Sequence, residues 1–82
     1  MSVEVNLWSG LRRFTDGELK VQVEAKTIGQ MLDALVQAHP GLAPIIEGGV
    51  SVAVDGEVVA QNRSHPVKDG SEVYLLQQLS GG

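Results

Sequence analysis

Two hydrophobic rhythms alternate along the chain and mark out its elements. Val3, Val5 and Leu7 alternate with Glu4 and Asn6, a period of two that predicts a half-buried strand. Leu19, Val21 and Val23 repeat the pattern against Lys20, Gln22 and Glu24. The two strands are expected to pair antiparallel across a loop at 9–17, which carries the turn dipeptide Asp16-Gly17. The period then changes. Ile28, Met31, Leu32, Leu35 and Val36 fall at i, i+3, i+4, i+7 and i+8, the apolar stripe of a helix. Thr27 is its expected N-cap, with Gln30 as capping-box partner. Gly29 weakens the first turn slightly, and His39-Pro40-Gly41 ends the helix. Residues 42–47 predict a short further helical turn, stopped by Gly48-Gly49. Val50, Val52 and Val54 restore the period of two, Asp55-Gly56 predicts a tight hairpin, and 57–59 a short return strand. A polar loop at 61–70 leads to a last strand at 71–76. That strand is apolar on both sides, with Val73 and Leu75 on one and Tyr74 and Leu76 on the other. It suits the centre of a sheet whose second face is covered in part or by a partner.

The order strand, strand, helix, strand, short strand, strand places one main helix across one face of a sheet and leaves the other face partly open. At 82 residues the chain forms one domain with a single modest core. It has no cysteine, which excludes a disulfide framework, a thiolate metal site and a cysteine nucleophile of its own. Six basic residues against ten acidic ones give a net charge of −4. That is a poor footprint for nucleic acid and favours a basic partner site. Arg12-Arg13 is the one basic cluster and reads as a solvated loop. No apolar run approaches the roughly 20 residues that span a bilayer, and Met1-Ser2-Val3-Glu4 lacks a basic leader. A soluble, cytoplasmic chain with no membrane and no nucleic-acid partner is expected.

Residues for an autonomous active site are missing. His39 sits at a helix end and His65 precedes a proline; neither has a neighbour at ligand spacing, so both read as structural and no metal is expected. Asp16, Asp55 and Asp69 each precede a glycine, and turn chemistry accounts for them. No phosphate-cradling or dinucleotide fingerprint occurs, and no serine has nucleophile-elbow context.

The last residues offer a different chemistry. Gly48-Gly49 is internal and needs only a turn. Gly81-Gly82 closes the chain and would present a free α-carboxylate without neighbouring side chains. A six-residue tail, 77–82, reaches at most about 20 Å, and its glycines can thread a channel too narrow for other residues. A carboxylate is a poor electrophile, but ATP on a partner enzyme converts it to an acyl-adenylate. Sulfur attack on that anhydride gives a thiocarboxylate; amine attack gives an isopeptide bond. With no cysteine in the chain, the sulfur comes from elsewhere.

The element order, "DGSEVYLL" at 69–76, "TIGQMLDAL" at 27–35, "VSVAVDGEVV" at 50–59 and the terminal Gly81-Gly82 together resemble the ubiquitin-like sulfur carriers of the MoaD/ThiS type, over essentially the whole chain. The length, and the long first loop with Leu11 and Phe14, are most similar to the small subunit of molybdopterin synthase. The resemblance implies an α+β, β-grasp fold: a mixed sheet of four to five strands with one main helix packed on one face. It implies a domain at 1–76 and a flexible tail at 77–82. It further implies a carrier rather than an enzyme, with no stably bound cofactor. Gly82 would be adenylated by a ubiquitin-activating-type adenylyltransferase using ATP, then converted by a sulfurtransferase to the thiocarboxylate. Gly81, Ser80 and Leu79 would thread into a partner such as the large subunit of molybdopterin synthase, while Tyr74 and Leu76 would dock it. Leu75-Leu76 and Gln77-Gln78 stand where molybdopterin members often carry an aromatic pair and prolines. The acceptor therefore stays open between molybdopterin, thiamine, cysteine and another thiolated product. A protein modifier conjugated through Gly82, and a plain interaction module, are the alternatives.

Overall fold

The computed structural model describes residues 2–59 and 62–77. The period-two segments form β1 (Ser2–Asn6), β2 (Lys20–Glu24), β3 (Val50–Val54), β4 (Glu57–Val58) and β5 (Glu72–Gln77). The period-3.6 segment forms α1 (Ile28–Ala38), and a short α2 (Ala43–Gly48) follows it. The strands make one sheet in the order β2-β1-β5-β3-β4. The β1–β2, β3–β5 and β3–β4 pairs are antiparallel and β1–β5 is parallel. This is the expected mixed α+β, β-grasp arrangement, with α1 laid across one face.

The helix starts where the sequence places it. Thr27 Oγ1 accepts from the Gln30 backbone N–H at 3.2 Å, and Gln30 Oε1 accepts in return from the Lys26 N–H at 2.9 Å. The return bond reaches one residue further back than the usual capping box. The next N–H groups are taken by the 62–67 loop: Ile28 donates to the His65 carbonyl and Gly29 to that of Arg63. A Cβ at Gly29 would come within 3.1 Å of the Arg63 backbone oxygen, so the glycine that weakens the helix locally is what admits the loop. Thr27→Ala is expected to cost about 1 kcal/mol, lowering the melting temperature by about 4–8 °C for a domain of this size, as read by calorimetry.

The core is aliphatic. Val3, Val5, Val21, Val23, Val50, Val52, Val73 and Leu75 meet Ile28, Met31, Leu32 and Leu35 of α1, with Leu11, Leu42 and Val67 closing the ends. The single tryptophan, phenylalanine and tyrosine are all absent from it. In the Asp55-Gly56 turn both residues have positive φ, 50° and 87°, the hairpin geometry that matches strand twist. The aspartates next to glycines act as clamps: Asp55 Oδ1 accepts from the Glu72 N–H and Asp69 Oδ1 from the Ser2 N–H, each at 2.9 Å.

Two segments differ from the sequence reading. The stretch taken as an open loop contains a 3₁₀ helix, Ser9–Phe14, with Leu11 buried; the Thr15 backbone N–H closes it by donating to the Arg12 carbonyl, and the Thr15 hydroxyl donates on to the Glu18 carbonyl. The last strand is also shifted by one residue. Gln77, read as the first residue of the tail, pairs with Val50 as the end of β5, because backbone pairing continues past the last apolar side chain. Among the described residues no helix is long and apolar enough to cross a membrane.

Candidate functional site

Alternation on β5 buries Val73 and Leu75 against α1 and turns Glu72, Tyr74 and Leu76 to the open face. Registers on either side extend this into a row across the whole sheet. Asn6 lies opposite both Lys20 and Tyr74, Tyr74 opposite Ala53, and Ala53 opposite Val58. Leu76 sits one pleat further along, opposite Ser51. Tyr74 is 44% exposed, Leu76 38% and Val58 63%, and these are the exposed large hydrophobic residues among those described. All three thus share one face. Ala53, between Tyr74 and Val58, is buried although it belongs to that face.

The expectation that Tyr74 and Leu76 face outward holds, and no loop among the described residues covers them. Val58 was not singled out from the sequence. Its signal was present only in part: the two-residue turn fixes Val58 opposite Ala53, and the pairing of β3 with β5 then puts it on the face of Tyr74. The remaining members of the expected site, Leu79, Ser80, Gly81 and Gly82, lie outside the described residues. The patch stands at the end of β5 from which they follow.

Charge flanks the patch on the β1 side. Glu4 and Glu72 lie directly opposite each other in the parallel register, both on the open face, and Glu24 follows on β2. Like charges placed opposite one another across strands are destabilising. A cationic group arriving from a partner would relieve that repulsion.

Neither histidine has site geometry. His39 closes α1 by donating its backbone N–H to the Leu35 carbonyl at 2.8 Å, and the His65 carbonyl receives the Ile28 N–H. Among the described residues no three His, Cys, Asp or Glu side chains gather as metal ligands. Arg13, expected in a solvated loop, is exposed but lies over the Phe14 ring at 5.5 Å.

The sequence profile of the ThiS family matches residues 5–82. No curated protein matches the chain. Among solved structures, SAMP1 from Haloferax volcanii is 32% identical, with 100% of both chains covered and a TM-score of 0.80. A chain of the Amycolatopsis orientalis BexX/CysO complex is 26% identical, covering 98% of this chain and 99% of that one, with a TM-score of 0.79. A chain from the complex of subunits 1 and 2 of molybdopterin-converting factor of Helicobacter pylori is 27% identical over 100% of both, with a TM-score of 0.70. The molybdopterin protein, with an identity between those of the other two and the lowest TM-score of the three, is not set apart from them. The profile match over residues 5–82 and the β-grasp sheet lead to one conclusion: this chain belongs to the ThiS family of ubiquitin-like, non-catalytic sulfur-carrier proteins.

Proposed function

We propose that the chain carries sulfur on Gly82 and delivers it in cofactor biosynthesis, with molybdopterin as the leading acceptor. The division of labour assigns the domain up to the end of β5 to docking and the residues after it to reach. A ubiquitin-activating-type adenylyltransferase would bind the open face through Tyr74, Leu76 and Val58. A Gly82 carboxylate oxygen would attack the α-phosphorus of ATP and release pyrophosphate. Hydrosulfide, released from a sulfurtransferase persulfide by a thiol reductant, would then attack the acyl carbon and expel AMP, leaving the thiocarboxylate. The observation that carries this reading is the apolar patch in register on the open face, at the end of the strand that leads to Gly81-Gly82. Exposed apolar patches of this kind mark contact surfaces. Leu79, Ser80 and Gly81 would thread the partner's channel, and the protein would work in the cytoplasm.

A second reading has its own support. The similarity to SAMP1, an archaeal modifier by name, favours attack on the adenylate by a lysine amine and conjugation through Gly82. The two are separated by recovering the tagged chain from cells under denaturing conditions. A free thiocarboxylate, and a native complex with a molybdopterin synthase large subunit, support the molybdopterin carrier. Higher-mass species joined through a Gly82 isopeptide, without thiocarboxylate, support the modifier. A thiocarboxylate with no such complex, consumed in thiamine or another thiolated product, moves the acceptor and leaves the carrier intact.

A further inference from the structure

Where the 3₁₀ helix Ser9–Phe14 meets α2 and the end of β5 lies a cleft of about 480 Å³, a volume in the range of ligand sites. Its walls are Trp8 and Phe14, both partly buried, and Ile45. Two of the chain's three aromatic residues thus stand here, outside the core. The polar chemistry of these walls is one-sided. The chain holds ten acidic residues, yet none of the described residues lining the cleft is acidic, and the one charge there is Arg13. Arg13 lies over the Phe14 ring, 5.5 Å from its centroid. Stacking of this kind uses the face of a guanidinium and leaves its in-plane N–H groups free to pair with a carboxylate. Among the described residues Arg13 meets no carboxylate, and the Trp8 indole N–H meets no acceptor. Arg12 adds a second exposed cation in the same turn.

We propose that this cleft binds an acidic segment of a partner protein, which places one bulky aliphatic side chain between Trp8, Phe14 and Ile45 and its carboxylates on Arg13 and the Trp8 indole N–H. Charge complementarity selects this occupant. The aromatic walls receive an apolar side chain. Donors without acceptors call for a group that only accepts, which an ionised carboxylate is. Tryptophan and arginine are also residue types that anchor protein interfaces. Position favours a protein over a free anion. The cleft and the apolar patch meet at the end of β5, where Leu76 lies on the open face and Gln77 lines the cleft. A protein that covers the patch can send a segment round the end of the sheet, whereas a small anion leaves the aromatic walls unused. The two contacts differ in electrostatic character, since Glu4 and Glu72 on the open face suit a cation. The inference does not depend on what Gly82 carries.

The test titrates isotope-labelled full-length protein with a capped pentapeptide, one central leucine flanked by glutamates, and follows it by nuclear magnetic resonance. A saturable shift of the Trp8 indole N–H and of the Gln77 and Gly48 backbone amides is expected, weakening as salt is raised. Arg13→Ala should lower the affinity about twofold to fivefold, the worth of one exposed ion pair. Gly48 also lines the cleft, and a Cβ built there meets nothing within 4 Å. Gly48→Trp is therefore expected to fold, to crowd the cleft and to abolish the shifts, with unchanged amide resonances along β1 as the check on folding. A Trp8 resonance that does not move overturns the proposal. So do equal shifts from peptides with lysine in place of glutamate or alanine in place of leucine. Adenosine monophosphate binding at the same resonances more tightly than the peptide overturns the choice of a protein segment. Shifts that grow with protein concentration alone, without peptide, replace the partner by a second copy of the chain.

Discussion

Removing Gly81-Gly82 is expected to abolish sulfur loading and leave the domain folded. Among the described residues the buried core runs from Val3 to Leu75, the last ladder contact is made by Gln77, and a glycine pair adds no side chain to such a core. Changes away from buried features fall within about 0.5 kcal/mol, which is at most about 4 °C in melting temperature for a domain of this size. The loss of function has a different origin. Adenylation needs the carboxylate placed in line with the α-phosphorus of a bound nucleotide, and a displacement of about 1 Å there costs on the order of 100-fold in rate. Gly82→Ala, which keeps the carboxylate and adds a single methyl group beside it, is therefore expected to load at least about 100-fold more slowly. Mass spectrometry of loading reactions, paired with calorimetry of the same samples, separates the two effects. A deletion that unfolds the domain, or one that still loads, contradicts the account.

The second large effect is expected on the open face. Replacing Tyr74 and Leu76 together by lysine should weaken binding of the activating enzyme by about 100-fold or more, since buried anchors of this kind are worth 2 kcal/mol or above. Stability should change much less, because both side chains project away from the core. Lys20→Ala provides the control. It alters the same row of the sheet, two strands from Tyr74, but at a rim position where a charge contributes at most about 1 kcal/mol. Isothermal titration of the three proteins against the enzyme is the measurement. Equal weakening by Lys20→Ala would mean that contact is spread over the whole face rather than centred on the patch.

Legibility from sequence follows the range of the interactions involved. The strands and α1 were readable because their information is local: a period of two, a period of 3.6, a threonine cap and an Asp-Gly turn. The outward direction of Tyr74 and Leu76 was readable for the same reason, by parity along β5. What parity does not reveal is which strands are neighbours. The parallel pairing of β1 with β5 joins residues 68 positions apart, as in Glu4 with Glu72, and it alone sets Asn6 beside Tyr74 and the two glutamates face to face. Val58 joined the patch only once β3 was known to flank β5. The 3₁₀ helix at Ser9–Phe14 was least legible: Leu11 and Phe14 keep its three-residue spacing, but a repeat of a single turn is too short to signal an element, so the segment read as a loop. Gln77 read as tail because its side chain is polar, whereas its backbone decides its place.

The proposed carrier role turns on sulfur being loaded onto the chain end by other proteins. Intact mass spectrometry of the full-length chain, incubated with its adenylyltransferase, ATP and a sulfurtransferase with a sulfur donor, tests it most directly. The account predicts an ATP-dependent gain equal to the exchange of one oxygen for sulfur, located on Gly82 and absent from the chain lacking Gly81-Gly82. No gain, with enzymes that load a known carrier in the same tube, would contradict it.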